Sequence, residues 1–193
     1  MQKNGATVLV VDGGGRGSAL VHKYSKSSYV GRIFAVPGND LMQINSQKPV
    51  KTFSGLKTTS VKGIIDICCK EKVDLVDVAQ DNAIEAGLVD RLQKYGFNVV
   101  GPNRSAGRIV WDKAWARRLG KKAGLRQPSF KICRSKKEGI EYIRRQPDQP
   151  WFVKANGLCE GKGVLSAKSK KEAIEAISEL KKRFGEQADI YLL

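Results

Sequence analysis

The chain has 193 residues, of which 41% are hydrophobic and 28% are charged, so it can bury an apolar core and is not expected to be disordered overall. Its 35 Lys and Arg residues outnumber its 19 Asp and Glu residues, which gives a formal net charge of +16. This charge favours anionic ligands such as nucleic acid, anionic lipid or phosphorylated metabolites, although a lysine-rich solvated surface explains it equally well.

The composition also argues against several classes of protein. His22 is the only histidine and no C-x-x-C pair is present, so a zinc site is not expected. No segment has the length of a membrane span, and the apolar run at residues 8–11 is too short for a signal peptide. We therefore expect a cytoplasmic protein with reduced thiols. We assign no functional role to His22 or to the four cysteines, Cys68, Cys69, Cys133 and Cys159.

Up to residue 100, short β-branched runs alternate with helix-like segments. The predicted strands are "TVLVV", "GRIFAV", "VDLVDVAQ" and "FNVVG". The predicted helices are "RGSALVHKYSKS", "TTSVKGIIDICCKEK" and "AIEAGLVDRLQKYG", the last taken as one amphipathic helix that ends at Gly96. Strand–helix alternation with short connections predicts an α/β domain with a parallel, doubly wound sheet.

The pattern changes after Gly101 and Pro102, which form a natural boundary. "DKAWARRLGKKAG" predicts a basic helix that is capped by Gly124. Then follow the strand "PSFKIC", a helix over 135–145, the strands "WFVKA" and "GVLSAK", a long helix and the strand "DIYLL". The closely spaced middle strands indicate a hairpin. We therefore predict two domains, residues 1–101 and an α+β region over 102–193.

The first glycine cluster, "DGGGRGS", follows the first predicted strand. Glycines let the backbone turn sharply and approach an anion at the start of the next helix. A dinucleotide site would need G-x-G-x-x-G, but the third glycine position is Ser18, and "FAVPGND" lacks the acidic residue expected after the second strand. A phosphate-sized ligand with a contact from Arg16 is favoured. A tight turn that merely needs small residues remains the alternative.

The second glycine cluster lies in "WFVKANGLCEGKGVLSAK" and resembles a P-loop only superficially. The spacing from Gly157 to Gly161-Lys162 is one residue short of G-x-x-x-x-G-K, and Gly163 stands where Ser or Thr should be. A strand follows it rather than a helix. Strand alternation places Lys154 among core residues, where its charge needs a partner. We infer that this partner is a nucleotide phosphate.

Four stretches spread along the chain resemble one known family. "VKANGLCEGKGV" is similar to the "VKADGLAAGKGV" loop of phosphoribosylamine–glycine ligases, which are ATP-grasp enzymes of purine biosynthesis. "DGGGRGSA" is similar to that family's "GGGGREHA", and "VPGN" to its "APGN". "GPNRSAGRIVWDKAWAR" resembles the segment that opens the family's ATP-grasp domain. The resemblance implies a pre-ATP-grasp sheet domain over 1–101 and an incomplete ATP-grasp domain over 102–193.

The resemblance also implies an activity and its ligands. The family ligates glycine to phosphoribosylamine through a glycyl phosphate, with ATP and Mg²⁺ as cofactors, and we expect a monomer. No catalytic side chain or metal ligand is assigned within this chain. The residues implied to hold the ATP phosphates are Lys113, Lys154, Gly157, Gly161, Lys162 and Gly163. Those implied to lie around phosphoribosylamine are Gly14, Gly15, Arg16, Pro37, Gly38, Asn39 and Asp81.

The chain departs from the family's motifs at several of these positions. Gly17-Ser18 replaces Glu-His on the substrate side, Asn156 replaces an Asp, and Glu160 places an acid in the triphosphate loop. The family's magnesium ligands come later than the last residue of this chain. The chain is therefore expected either to be a fragment that is inactive alone, or a degenerate relative that binds a nucleotide or phosphometabolite without turnover. A final strand with unfinished pairing favours the fragment.

A function of another class remains open. The charge of +16 suits a nucleic-acid-binding module, and Trp111 and Trp115 are spaced to lie on one face of a basic helix. Packing of that pair onto the protein's own sheet is the more ordinary interpretation. We therefore regard nucleic acid as an unlikely partner.

Overall fold

The computed structural model describes residues 5–193, which form two compact units. The first unit ends at Gly107 and the second is Arg108–Leu193. The sequence pattern predicts the boundary between the two parts after Gly101. The identity of each part as a functional domain stays a prediction. None of the helices in residues 5–193 combines the length and the apolar character that a membrane span needs.

The first unit is a parallel sheet with helices between its strands. Each strand except a short one at the edge was expected from its β-branched run. Its strands are β1 (Ala6–Asp12), β2 (Val30–Pro37), β3 (Val50–Thr52), β4 (Leu75–Val78) and β5 (Asn98–Val100). Its helices are α1 (Gly15–Ser25), α2 (Asp40–Ile44), α3 (Val61–Glu71), α4 (Asp81–Glu85) and α5 (Leu88–Lys94), and α6 (Arg104–Trp111) runs across the division between the units.

The strand order of this sheet is β3-β2-β1-β4-β5, and every neighbouring pair is parallel. Val8 and Val10 of β1 pack in one cluster with Val21 of α1. The alternate residues Leu9 and Val11 are also fully buried, so the sheet is covered on both faces. The predicted doubly wound α/β fold is confirmed. The order reverses between β1 and β4, where such sheets form a crevice at their carboxyl edge.

The second unit has an antiparallel sheet and two long helices on one of its faces. The helices begin where expected, because Ser135 and Ser169 accept hydrogen bonds from the backbone N–H groups of Glu138 and Glu172. The strands are β6 (Ile132–Cys133), β7 (Trp151–Ala155), β8 (Val164–Ala167) and β9 (Tyr191–Leu192). The helices are α7 (Lys113–Lys122), α8 (Lys136–Arg145) and α9 (Lys170–Phe184), followed by a 3-10 turn, Gly185–Ala188.

The strand order in the second unit is β6-β9-β7-β8, with antiparallel pairs throughout. Val153 and Ala155 of β7 pack into a core cluster with Ile177 and Leu180 of α9. Phe152, which alternates with them, is 58% exposed on the opposite face. Helices therefore cover one face of β7, and the face that carries Phe152 and Lys154 is left available to a ligand.

Three expectations about local structure are wrong. "AIEAGLVDRLQKYG" forms two helices, α4 and α5, because Gly87 has a φ of +78° that interrupts the first. Trp111 and Trp115 do not share a helix, because Asp112 ends α6 and caps α7 by accepting a hydrogen bond from the Trp115 N–H at 2.9 Å.

The third correction concerns the last strand, whose pairing was expected to be unfinished. β9 is instead an inner strand that pairs with β6 on one side and β7 on the other. Leu193 continues the pairing, since its N–H and C=O both bond to Lys131 at 2.9 and 3.0 Å. The pairing of β9 therefore gives no support to the expectation of a fragment.

The packing of α8 on β9 yields a stability prediction. A Cβ at Gly139 would lie 1.9 Å from the Tyr191 hydroxyl oxygen, which donates a hydrogen bond to the Ser135 carbonyl. Gly139→Ala should therefore lower the free energy of unfolding by about 1–3 kcal/mol, despite alanine's better helix propensity. All three tryptophans lie in the second unit, so their fluorescence during urea unfolding measures its stability.

The matched control adds Tyr191→Phe to Gly139→Ala, which removes the hydroxyl and should recover part of the loss. A Gly139→Ala protein as stable as the unmodified one would contradict this account of the packing.

Candidate functional site

Lys113 joins the start of α7 to the loop that leaves β7. Its Nζ donates hydrogen bonds to the carbonyls of Asn156 at 3.3 Å and Gly157 at 2.8 Å, and its backbone N–H also donates to Asn156 C=O at 3.3 Å. Carbonyl oxygens satisfy the donors of an ammonium but carry no full negative charge. These contacts therefore satisfy the donors of the Lys113 ammonium but do not neutralise its positive charge.

Asn156 makes a second connection between this loop and α7. Its contacts and those of Lys113 together form the Asn156 junction. Its Oδ1 accepts a hydrogen bond from the Ala114 N–H at 2.7 Å, which satisfies one of the donors at the beginning of α7. Its backbone N–H donates to the Ile190 carbonyl at 3.0 Å. Asn156 therefore holds the glycine loop against a helix N-terminus, a position that favours negative charge.

Lys154 is held by strands on both sides. It pairs with Val164 of β8 and with Leu192 of β9, so its backbone has little freedom. Its half-buried side chain shares a face with Phe152, and Nζ lies 5.5 Å from the centroid of that ring. This contact gives the ammonium a cation–π interaction but no counter-charge.

The surroundings of Lys113 disfavour its charged form. Burial lowers the pKa of Lys113 below its ordinary value, and the nearby charge of Lys154 lowers it further. In contrast, hydrogen bonds from Trp115 N–H and Arg108 overcome the burial of Asp112 and lower the pKa of its carboxyl. A bound anion would relieve the repulsion between the two lysines, so the electrostatics of the site favour a negatively charged ligand.

The glycine loop closes with a tight turn. Lys162 N–H donates to the Cys159 carbonyl at 2.8 Å, and both residues between them, Glu160 and Gly161, have positive φ (+50° and +78°). Gly163 packs against Cys159, since a Cβ on Gly163 would lie 2.6 Å from the Cys159 Cβ. The loop therefore needs glycine at Gly163 for contact and at Gly161 for conformation, and it presents Lys162 to solvent.

Lys154 also lines a pocket of about 550 Å³. This volume is in the range of small-molecule sites. Trp151 forms part of its wall, and the buried Trp151 Nε1 has no hydrogen-bond partner within residues 5–193. The other residues that line the pocket are both polar and apolar and include Arg117, Phe130, Tyr142, Gln146, Phe152 and Leu192.

The first unit gathers its predicted residues at the carboxyl edge of its sheet. Asn39, just after β2, donates from Nδ2 to the Gly13 carbonyl at 3.0 Å, and Gly38 N–H donates to the Asp12 carbonyl at 3.3 Å. Gly38 has a φ of +72°, and a Cβ there would lie 2.6 Å from Thr52 Cγ2. The loops after β1 and β2 are thus held together by one side-chain and one backbone hydrogen bond, and Gly38 is required by its positive φ and by the closeness of Thr52.

Asp12, the last residue of β1, was not predicted as part of the site. Its side chain is fully buried and accepts hydrogen bonds from the Gly14 N–H and from Gln80 Nε2, the latter at 3.0 Å. Arg16 Nε lies 3.4 Å from Asp12 Oδ2, and Arg16 Nη1 lies 3.9 Å from Asp81 Oδ1. A wholly buried carboxylate therefore organises the glycine loop and its arginine.

The structure brings the proposed site residues together in two groups, one in each unit. In the second unit Lys113 contacts Gly157 directly, and Lys154, Gly161, Lys162 and Gly163 lie on the adjoining strand and loop. Sequence patterns did not identify Asn156, Asp12 or Gln80 as site residues, because each acts through contacts between residues far apart in the chain. In the first unit Gly14, Gly15, Arg16, Pro37, Gly38, Asn39 and Asp81 all lie at or just beyond the carboxyl ends of β1, β2 and β4.

Comparison with known proteins identifies the family of this chain. The family model described as "Phosphoribosylglycinamide synthetase, N domain" matches residues 6–109. A second model, "Phosphoribosylglycinamide synthetase, ATP-grasp (A) domain", matches residues 111–192. This chain belongs to the phosphoribosylglycinamide synthetase family. The resemblance inferred from the motifs is confirmed.

Individual relatives give the same result. The phosphoribosylamine–glycine ligase of Archaeoglobus fulgidus is 36% identical over 184 residues, covering 93% of this chain and 39% of that protein. The Chlorobaculum tepidum ligase is 33% identical and is covered to 43% of its length. The crystal structure of the Thermotoga maritima ligase matches with a TM-score of 0.69 at 25% identity, over 97% of this chain and 43% of that one. The chain thus spans about two fifths of the length of these relatives.

The Asn156 junction can be tested by its effect on stability. Asn156→Ala removes the acceptor for the Ala114 N–H and should lower the free energy of unfolding of the second unit by about 1 kcal/mol. Ser178, an exposed residue of α9, provides the control: Ser178→Ala should change it by less than about 0.5 kcal/mol. Tryptophan fluorescence during urea unfolding measures both. Equal stabilities of the two variants would show that the junction contributes nothing.

Proposed function

We propose that this chain acts in the ATP-dependent ligation of glycine to phosphoribosylamine, which gives glycinamide ribonucleotide in purine biosynthesis. In this proposal the second unit binds ATP and the first unit binds phosphoribosylamine. The observation that carries it is the placement of two lysines, Lys113 and Lys154, beside a glycine loop that is fixed to a helix N-terminus. Membership of the family supports the reaction and its substrates.

The ATP phosphates are assigned to Lys113, Lys154 and the loop of residues 157–163. Phosphoryl transfer depends mainly on positioning and on stabilising negative charge. Lys154 is held rigidly between two strands, whereas Lys162 lies exposed on the turn. The fixed lysine sets the position of the phosphates and the loop lysine closes over them. In this scheme glycine's carboxylate attacks the γ-phosphoryl group of ATP and ADP leaves, which gives a glycyl phosphate. The amine of phosphoribosylamine then attacks the acyl carbon and phosphate leaves.

The residues present fit a nucleotide. The pocket beside Lys154 has a suitable volume and aromatic side chains in its wall, among them Phe152 and Tyr142. A purine ring offers an aromatic face, which matches such a wall. We therefore assign the base to this pocket.

Magnesium, unlike the nucleotide, is given no ligands among the described residues. Within residues 5–193, no three His, Cys, Asp or Glu side chains are grouped so that they could hold a metal ion. We accordingly assign no Mg²⁺ ligand in this chain and derive no step through the ion. In this proposal the chain binds the substrates but does not complete the ligation by itself.

The requirement for Lys154 can be measured by ligand protection. Saturating ATP should raise the melting temperature of the unmodified protein, because a ligand that binds only the folded state stabilises it. Lys154→Ala should abolish this rise. The control is Lys168→Ala, which removes an exposed lysine just beyond β8 and should leave the protection unchanged. If ATP protects the Lys154→Ala protein as well as the control, Lys154 is not a nucleotide ligand.

Glu160 gives a second test of the loop. An acid in a loop that covers phosphates repels them, so Glu160→Gln should lower the dissociation constant for ATP by about threefold. Glutamine keeps the size of the side chain and the same demand on the positive φ of this residue. Glu175→Gln removes an equal charge from the exposed part of α9 and should have little effect. Isothermal titration calorimetry compares the two variants, and an unchanged constant in Glu160→Gln would place the phosphates away from the turn.

A further inference from the structure

We propose that the first unit has a further anion site, a pocket between α3, α5 and the start of α6 that binds a small phosphate monoester. The pocket has a volume of about 470 Å³ and is lined by residues 61–62, 86–87 and 90–91 and by Arg104. It shares no residue with the groups assigned to ATP and to phosphoribosylamine. All of its lining residues precede Arg108, so the pocket lies within the first unit.

Three cationic side chains line this pocket, and each comes from a different helix. Lys62 belongs to α3, Arg91 to α5 and Arg104 to the first turn of α6. All three are exposed, so a ligand can reach them, and within residues 5–193 none has a carboxylate oxygen within 4.0 Å of its charged nitrogens. Three positive charges around one cavity give it a positive potential, which favours an anion.

Of the described residues that line the pocket, only Asp90 is acidic. Its Oδ2 accepts a hydrogen bond from the backbone N–H of Arg104 at 2.7 Å, so this oxygen joins α5 to the start of α6. Such an N–H at the beginning of a helix needs an acceptor from outside the helix. The carboxylate therefore has a structural role. Three cations against one carboxylate leave the lining with an excess of two positive charges.

The guanidinium of Arg104 is held in one orientation. Its Nε donates a hydrogen bond to the Glu85 carbonyl at 2.7 Å, at the end of α4. Its aliphatic part lies beside the turn between α4 and α5, since a Cβ on Gly87 would lie 3.9 Å from Arg104 Cδ. Among the described residues, Nη1 and Nη2 have no hydrogen-bond partner. A guanidinium fixed in this way offers donors in the geometry that phosphate oxygens require.

The charge and the walls of the pocket define the class of ligand. A phosphate monoester carries a charge of about −1.5 to −2 at neutral pH, which matches the excess of two positive charges. A triphosphate would leave part of its charge unmatched. Val61 and Ala86 add apolar surface to the lining, on which a small organic group can rest. The volume of the pocket is in the range of small-molecule sites.

The test titrates glycerol 3-phosphate, a simple phosphate monoester, into isotope-labelled protein and follows the backbone amide signals by NMR. The signals of Gly87, Arg91 and Arg104 should shift and reach saturation. Sodium chloride at the same ionic strength should not reproduce these shifts, because screening by salt fills no specific site. Shifts that chloride reproduces, or that never saturate, would mean that the pocket attracts ions only by its general charge and would overturn the proposal.

Substitutions test the three cations separately from general charge. Arg104→Gln should weaken glycerol 3-phosphate by about tenfold, and Arg104→Lys, which keeps the charge but loses the planar fork, should weaken it by about threefold. Lys62→Gln should also weaken it by about threefold. The matched control is Lys70→Gln, which removes an exposed lysine at the other end of α3, outside the pocket, and should leave binding unchanged.

Thermal melting followed by circular dichroism shows whether each variant is folded. Because Arg104 also bonds to Glu85, its substitutions can lower stability; Lys62 forms no ion pair in the described part of the chain, so Lys62→Gln decides the question if Arg104→Gln does not fold. Equal binding by the Lys62→Gln and Lys70→Gln proteins would refute the site. Equal binding by Arg104→Lys and the unmodified protein would refute the role of the guanidinium fork.

The residue-by-residue readout separates this site from those of the proposed function. Arg16→Gln and Lys154→Ala change residues assigned to phosphoribosylamine and ATP, and both variants should keep the glycerol 3-phosphate shift at Gly87. Loss of that shift in either variant would show that the pocket is not an independent site. Shifts confined to residues 13–18 or 157–163 would overturn the further site and leave the proposed function standing.

Discussion

The second unit depends on one interaction, the attachment of the glycine loop to the start of α7 by Lys113 and Asn156. Lys113 Nζ bonds to two loop carbonyls, and Asn156 Oδ1 bonds back to the helix through the Ala114 N–H. Since these partners are dipoles rather than charges, the junction fixes the loop and keeps the positive potential of the lysine. The junction buries the ammonium of Lys113, and this burial, with a smaller contribution from the charge of Lys154, lowers the pKa of Lys113. A bound anion would favour the charged form of Lys113 and offset both effects.

The two glycine clusters of the chain meet different physical demands. In the first unit, Gly17 and Gly38 are required because neighbouring side chains occupy the space that a Cβ would need. The buried Asp12 carboxylate accepts a hydrogen bond from the Gly14 N–H of the loop. In the second unit, the loop around Glu160 and Gly161 takes positive φ values to turn sharply, while lysines surround it. The first loop is therefore held by the buried carboxylate of Asp12, whereas the second is held by the contacts of Lys113 and Asn156 with the start of α7. Similar glycine content thus meets different structural demands in the two units.

Sequence patterns were sufficient for the elements with strong periodicity. The buried β-branched runs gave β1, β2 and β4, and Gly124 (φ +68°) ends α7 as expected, with the Leu125 N–H bonded to the Gly120 carbonyl at 2.9 Å. Short edge elements such as β3 lacked enough periodicity to be recognised.

Other features could not be predicted because they depend on tertiary contacts. The break at Gly87 looked like a tolerated glycine within one amphipathic helix, and β9 looked like a terminal strand until its partners on both sides were visible. The motifs identified the family and a set of candidate residues. They did not reveal Asp12 or Asn156, because these side chains act on backbone groups of other segments.

The central claim is that the loop of residues 157–163 and the start of α7 form an ATP-phosphate site. Hydrogen–deuterium exchange with and without ATP tests it most directly, because it reports protection at individual segments. The account predicts slower exchange in the loop, in the first turn of α7 and in β7 around Lys154, with no change in α3 or α5 of the first unit. Protection confined to the first unit, or no protection of the loop at saturating ATP, would contradict it.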